Sequence, residues 1–185
     1  MTRRTRTSRR GFTLVEMMVV VIIVGVLAAL AVYGVSKYIL SAKVGEAVSM
    51  MGSIKSAEEA FKGETFIYLD VSTTFDPTNF YPSTTPGRSK VQWGGGSGTV
   101  PSNWKTLGVH PDGPVAFSYA VVATKPGDAQ PALPTEKTNF NLPTTITAWQ
   151  YVAVAKADLG GITGRYTYVL SHSYSSDIYV ENEGE

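Results

Sequence analysis

The first half of the chain contains an unbroken apolar run. Residues 17–36 read MMVVVIIVGVLAALAVYGVS and carry no charge over twenty positions. As a helix rising 1.5 Å per residue, this run spans about 30 Å, which matches the hydrocarbon core of a bilayer. The run is apolar on every face, whereas a helix in a soluble core keeps a polar face. The pattern therefore predicts a helix that can cross a membrane.

An amphipathic stretch follows the apolar run. Beyond Lys37, apolar residues recur at the three- and four-residue steps of one helix face: Leu40, Val44, Ala47, Met51, Ile54, Ala57 and Phe61. The charged residues are expected to lie largely off this stripe: Lys43, Glu46, Lys55, Glu58, Glu59 and Lys62. The two stretches together predict one helix over residues 12–62, whose second section, residues 37–62, packs its stripe on a sheet.

Four short runs in the second half predict β-strands. They are rich in aromatic and β-branched residues and comprise residues 115–123, 149–155, 166–170 and 178–180. Alternation predicts two sets of side chains over the helix stripe: Val115, Phe117, Tyr119 and Val121, and then Tyr166, Tyr168 and Leu170. One long helix followed by successive strands predicts an α+β fold with a mostly antiparallel sheet.

The segments between the helix and the strands predict loops. Residues 64–114 are rich in Thr, Ser, Pro and Gly and are expected to form a connection with short strands at most. Residues 124–147 are interrupted by Pro126, Pro131 and Pro134 and are expected to form a surface loop.

The charge of the chain is concentrated at its start. Five of the sixteen basic residues are Arg3, Arg4, Arg6, Arg9 and Arg10, which leaves 11 basic against 15 acidic residues in the rest. A body without a basic excess is not expected to bind nucleic acid through its phosphates. Arginines before an apolar run place the N-terminus in the cytoplasm under the positive-inside rule.

The sequence shows no pattern of catalytic residues. The chain has no Cys, which excludes a disulfide framework and a thiol nucleophile. His110 and His172 lack the H-E-x-x-H spacing of zinc proteases, and no G-x-S-x-G elbow is present. The aspartates are scattered, without the spacing of a calcium loop. We expect no enzymatic activity, no cofactor and no metal site.

Three export signals could explain the N-terminus. A secretory signal could be cleaved at Ala29-Leu30-Ala31, although the hydrophobic stretch is too long for one and, counted from Phe12, contains Glu16. Ser8-Arg9-Arg10 could belong to a twin-arginine signal, whose apolar part is usually milder. The third interpretation takes residues 11–16, Gly-Phe-Thr-Leu-Val-Glu, as one unit, with positive charge before it and one carboxylate at the membrane edge. We favour the third.

Residues 8–40 resemble the class III leader and N-terminal helix of type IV prepilins and the related pseudopilins. The resemblance lies in G-F-T-L-V-E followed by the charge-free run. It implies that a prepilin peptidase cleaves after Gly11 and methylates the new amino terminus at Phe12, which would leave 174 residues. One departure is Tyr33, since many members have a proline there that would kink or locally melt the helix.

The resemblance also implies an architecture. It divides the chain into a removed leader, residues 1–11, an N-terminal helix, residues 12–62, and a globular sheet-containing head, residues 63–185. Residues 12–36 would be the membrane-spanning part of the helix and later the core of a filament. This is the type IV pilin fold, with the helix packed on a mostly antiparallel sheet.

Glu16 is the candidate assembly residue. A carboxylate in an apolar helix costs about 2.5–3.5 kcal/mol at the bilayer centre and less near the interface, so Glu16 calls for a partner. The resemblance implies that this partner is the free amine of Phe12 in a neighbouring subunit. A subunit out of register would leave both charges unpaired in a low-dielectric core.

The leading hypothesis is therefore a major or minor subunit of a type IV pilus, serving adhesion, motility or uptake. Its implied partners are the prepilin peptidase, an inner-membrane assembly platform, other pilin subunits and the membrane. It would reside in the bacterial inner membrane before assembly and in an extracellular filament afterwards. A pseudopilin of a type II secretion system is the alternative, and a soluble or tethered protein whose leader only mimics a prepilin is a third.

Overall fold

The computed structural model describes residues 11–83, 87, 89–95, 98–134, 142–143, 145–161 and 165–182. All of the expected leader except Gly11 lies outside these residues. The chain forms two compact units, one ending at Ile39 and one beginning at Leu40. The second unit contains all the β-strands found among the described residues.

The main helix, α1, spans Leu14–Thr65 over 52 residues. It forms because long apolar and then amphipathic stretches follow each other without a proline. It is followed by Phe66, which adopts a left-handed φ of 64° and stops the helix. The Phe66 N–H donates to the Lys62 carbonyl oxygen at 2.8 Å, which satisfies one of the last carbonyls of the helix.

Four strands form one antiparallel sheet. They are β1 (Ser118–Thr124), β2 (Gln150–Ala157), β3 (Thr167–His172) and β4 (Tyr179–Glu181), and their spatial order is the chain order. Each strand pairs antiparallel with the next. Every residue of β1 and β2 is buried, so both faces of the sheet are covered. The predicted α+β fold with an antiparallel sheet is confirmed.

One face of the sheet packs on the second section of α1. The stripe residues Val44, Ala47, Met51 and Ile54 are buried in this core, and Leu40, Ala57 and Phe61 pack against it while partly exposed. From the sheet side the core receives Val115, Phe117, Tyr119 and Val121, as the alternation predicts. The core therefore lies between α1 and the sheet.

Glu58 lies on the buried face of α1, which corrects its expected position off the stripe. The residue is 0% exposed. It follows Ile54 by four positions and precedes Phe61 by three, and this spacing places it on the same helix face. Its carboxyl Oε2 accepts the Leu69 N–H at 3.0 Å. This hydrogen bond to the segment after α1 holds the side chain inward.

The prediction that Tyr168 and Leu170 of β3 lie over the helix is wrong. Val169, not Tyr168 or Leu170, faces α1, while Leu170 belongs to a second core on the opposite side of the sheet. The register decides this, since Val169 pairs with Ala155 of the helix-facing core. Because side chains alternate with a period of two, Tyr168 and Leu170 then point the other way.

The second core covers the outer face of the sheet. Phe75 and Phe80, from the connection before β1, are buried in it. Leu133 and Leu142 pack against it and Ile146 is 3% exposed, so the segment expected to be a surface loop is partly a cover for the sheet. Residues 135–141 and 144 of that segment lie outside the described residues.

A second helix, α2, spans Thr99–Leu107, within the segment expected to be a loop. Its inward side chains are Val100, Trp104 and Leu107, at helical spacing. Gly108 caps its C-terminus at a φ of 76°, and its N–H donates to two carbonyls of the last turn. The expectation of strands at most is therefore wrong for this stretch. A short 3₁₀ helix, Pro77–Asn79, also lies there.

Candidate functional site

The start of α1 is built by reciprocal hydrogen bonds between Thr13 and Glu16. The Thr13 backbone N–H and hydroxyl both donate to Glu16 Oε2, each at 2.9 Å. In return, the Glu16 backbone N–H donates to Thr13 Oγ1 at 3.2 Å. Since α1 begins at Leu14, Thr13 is the N-cap and Glu16 is the third helical residue. This is a capping box.

The capping box gives the Glu16 carboxylate a role within its own chain. The first turn of a helix has unpaired N–H donors and a partial positive charge. A carboxylate placed there accepts hydrogen bonds from those donors and offsets that charge, which stabilises the helix. Only Oε2 is used, and within the described part of the chain Oε1 accepts no hydrogen bond. The side chain therefore keeps acceptor capacity for a second partner. Sequence reasoning missed this role, although Thr followed three positions later by Glu is its known signature.

Gly11 and Phe12 lie outside the helix, immediately before the cap. Both residues are exposed, and a Cβ added to Gly11 would meet no atom within 4 Å. The Phe12 side chain is 80% exposed. The Gly11–Phe12 bond therefore lies outside the hydrogen-bonded turns of α1.

The first unit presents a continuous apolar surface. Every large apolar side chain from Phe12 to Ile39 is exposed, from 45% at Met17 to 80% at Phe12. The helix contains an 18-residue window of mean hydropathy 2.9 with no buried residue, which makes it long and apolar enough to cross a membrane. The helix also stays continuous through Tyr33. An apolar surface of this size marks a membrane or protein contact.

The two histidines are far from this segment in the chain and differ from each other. His110 is exposed. His172 is 3% exposed, stacks on the Tyr179 ring at 5.8 Å and accepts the Tyr174 N–H at Nδ1. Burial, with help from the Lys55 charge, lowers the pKa of His172, which favours the neutral imidazole. Within the described ranges, no three His, Asp or Glu side chains form a group that could hold a metal ion.

Comparison with known proteins identifies the N-terminal segment. Residues 6–32 match the prokaryotic N-terminal methylation motif. This motif is the type of sequence found in class III leaders. The match includes Gly11, Phe12 and the Thr13–Glu16 capping box, together with most of the exposed apolar surface.

Proteins to which the chain is similar are named as pilins and fimbrial proteins. The type IV major pilin protein PilA of Myxococcus xanthus is 37% identical over 67 residues, which cover 36% of this chain and 30% of that protein. The type IV major fimbrial protein FimA of Dichelobacter nodosus is 42% identical over 50 residues, 27% of this chain and 31% of that protein. A fimbrial protein of Pseudomonas aeruginosa is 42% identical over 53 residues, 29% and 34% of the two chains.

The similarity is confined to part of each protein. The matched segments span about a third of the length of these relatives. No solved structure gives a significant match to the chain. The fold of the head, residues 63–185, is therefore described from the structure of this chain alone.

Proposed function

We propose that this protein is a structural subunit of a type IV pilus, a major or minor pilin, which assembles into a surface filament. The observation that supports the proposal most is the order of features in the first unit. An exposed Gly11–Phe12 bond is followed by the Thr13–Glu16 capping box and then by an apolar helix surface that no described residue covers. The pilin and fimbrial names of the relatives support the same conclusion.

The first proposed step is processing by prepilin peptidase. The enzyme would cleave after Gly11 and methylate the new amino group of Phe12. Exposure of both residues, and their position before the first hydrogen-bonded turn of α1, support this step. The chain is the substrate here, and we propose for it a structural role and no enzymatic one.

Before assembly, residues 12–36 would anchor the protein in the bacterial inner membrane. The arginines before the segment would hold the N-terminus on the cytoplasmic side. The second unit, from Leu40 on, would fold outside the cytoplasm. After assembly the same apolar surface would pack against other subunits in the filament core, with the inner-membrane platform guiding the transfer.

Glu16 would set the register between subunits. Cleavage creates an amine on Phe12, and in a neighbouring subunit the Glu16 carboxylate would face it. Opposite charges attract strongly where water is excluded, and leaving either one unpaired there is costly. The unused acceptor capacity of Oε1 supports a partner beyond Thr13. The cap would hold the side chain ready for this pairing.

The experiment that tests the proposal is to recover filaments from the surface of the native bacterium. Shearing should release fibres that contain this chain as an integral subunit, and deletion of the prepilin peptidase should abolish them. The alternative, a pseudopilin of a type II secretion system, shares the N-terminal features. It predicts instead that the chain stays with the cell envelope and that its loss blocks protein secretion.

A further inference from the structure

Lys37 carries the first charge after the apolar run of α1, since residues 17–36 have none. Between Leu14, where α1 begins, and Tyr33 the helix rises by about 30 Å, which is the thickness of the hydrocarbon core of a bilayer. A helix inserted from Leu14 therefore places Tyr33 at the far edge of that core. Lys37, one turn later, then lies among the lipid headgroups.

The ring of Tyr33 holds the Lys37 side chain back along the helix. Lys37 Nζ lies 5.3 Å from the centroid of this ring, in a cation–π contact. The two residues are four positions apart and therefore share one helix face. Because helical side chains lean toward the N-terminus, the ammonium is directed toward the apolar run. The contact thus keeps the positive charge close to the end of that run.

No carboxylate of the described residues pairs with Lys37. The ion pairs found in this part of the chain involve other lysines. A second copy of the chain packed alongside at the same height could not supply a carboxylate either, because residues 17–45 contain no Asp or Glu. The anion that balances Lys37 must therefore come from outside the protein, and at this depth the phosphates of the lipids are the anions at hand.

Two exposed tyrosines accompany this lysine. The Tyr33 side chain is 64% exposed and that of Tyr38 is 77% exposed. Tyrosine is enriched at the boundary between membrane and water, because its ring is apolar and its hydroxyl is polar. A phenolic hydroxyl can donate one hydrogen bond to a phosphate oxygen, and an ammonium group can donate three. The three side chains therefore combine aromatic surface with the donors and the charge that suit a lipid phosphate.

We propose that Tyr33, Lys37 and Tyr38 bind the headgroup phosphate of an anionic phospholipid, in the leaflet away from the N-terminus. A zwitterionic headgroup brings its own cation to the phosphate, whereas an anionic headgroup leaves the phosphate for Lys37. A lysine close to an anionic membrane surface favours such lipids by about fivefold. This inference rests on the proposed insertion of residues 12–36 in a membrane, and it adds the class of lipid that the inserted segment selects.

The test is solid-state NMR on the full chain, isotopically labelled at its lysine side-chain nitrogens. The protein is reconstituted into vesicles of phosphatidylglycerol or, for comparison, of phosphatidylcholine. Dephasing of a nitrogen signal by lipid phosphorus reports contact with phosphate, and the unlabelled arginines before the apolar run do not contribute. The Lys37 signal is the one that Lys37→Gln removes. We expect its phosphate contact to be about fivefold higher in phosphatidylglycerol than in phosphatidylcholine.

Matched variants separate the site from general attraction to the membrane. Lys105→Gln removes another exposed lysine, on α2, and the signal that it removes should show no phosphate contact in either vesicle. Tyr33→Leu should reduce the phosphate contact of Lys37, because the ring that positions the ammonium is lost. Tyr33→Phe keeps a ring at this position and should retain most of the contact. Flotation with the vesicles verifies that each variant is inserted.

Three results would overturn the proposal while leaving membrane insertion intact. One is an inserted chain whose Lys37 nitrogen shows no phosphate contact. Another is equal contact in the two kinds of vesicle, which would mean anchoring without selection of an anionic headgroup. The third is equal contact at Lys105, which would mean general attraction of lysines to the surface. A chain that does not float with the vesicles would instead contradict insertion itself, and with it the proposed pilus function.

Discussion

Thr13 and Glu16 hold each other at the start of α1, with two hydrogen bonds of 2.9 Å into Glu16 Oε2 and one of 3.2 Å back to Thr13 Oγ1. The same carboxylate is the proposed partner of a neighbouring Phe12 amine. Two functions therefore meet on one side chain: a cap for its own helix and a charge for the next subunit. These functions can be separated by substitution, because a cap needs an acceptor and the pairing needs a charge.

Glu16→Gln should keep the cap and lose the charge. Glutamine is accepted at the same position of a capping box, so helix α1 should begin as before. We expect membrane insertion at the wild-type level and a strong loss of surface filaments. Cell fractionation and quantification of sheared filaments measure the two quantities. A normal filament yield would show that the charge of Glu16 does not set the register.

Thr13→Val is the matched control, since it keeps the charge and loses the cap. Loss of an N-cap costs about 1 kcal/mol of helix stability. Because the apolar surface that follows is long, we expect insertion to persist and filament yield to fall much less than in Glu16→Gln. If Thr13→Val abolished filaments while Glu16→Gln did not, the cap would be the essential function.

Glu58 should make the stability of the second unit depend on pH. Burial raises the pKa of this carboxyl from 4.5 to about 8, and the nearby Asp70 and Glu59 charges add to the effect. Between these values the folded state binds more protons than the unfolded state, so the free energy of unfolding falls as pH rises from about 4.5 to about 8. One such group gives a slope of up to about 1.4 kcal/mol per pH unit.

Glu58→Gln isolates this effect. The amide oxygen can still accept the Leu69 N–H, but nothing titrates at this position. Chemical unfolding of wild type and variant across this pH range should therefore give curves that diverge, with the variant gaining relative stability toward pH 8. Parallel curves would contradict the assignment of a raised pKa to Glu58.

Trp104 joins α2 to the core. Its ring contacts Trp93 edge-on at a centroid distance of 5.2 Å, and the side chain is 1% exposed. Trp104→Ala should lower the free energy of unfolding by about 3–5 kcal/mol, the usual cost of removing a buried aromatic ring. The control Lys105→Ala changes an exposed neighbour on the same helix and should have little effect. Equal stabilities for these two variants would mean that α2 does not contribute to the core.

The sequence predicts the elements whose pattern is long or one-sided. The apolar run and the stripe from Leu40 to Phe61 extend over many turns, so local exceptions do not hide them. Residues 11–16 carry the proposed processing and assembly signals in a short, specific order. The helix, the α+β class and the candidate site at Glu16 are therefore all visible without coordinates.

Other features escape sequence reasoning for physical reasons. Helix α2 has only nine residues and begins after a glycine. It also contains Pro101, which is tolerated in the first turn of a helix but in a sequence is typical of a loop. Both faces of β3 contact a core, so its alternation contains no polar side that would tell Val169 from Leu170. Glu58 is a charge on an apolar stripe, where composition predicts exposure and only tertiary contact explains burial.

The most direct test of the central claim is the mass and N-terminal sequence of the mature protein, purified from its native bacterium. The account predicts a chain that begins at Phe12 and carries one methyl group on its amino nitrogen. It also predicts that blocking the site, for example by Gly11→Val, leaves the full-length precursor in the membrane. A wild-type chain that still begins at Met1, or one that begins at Val32 after cleavage at Ala31, would contradict the account.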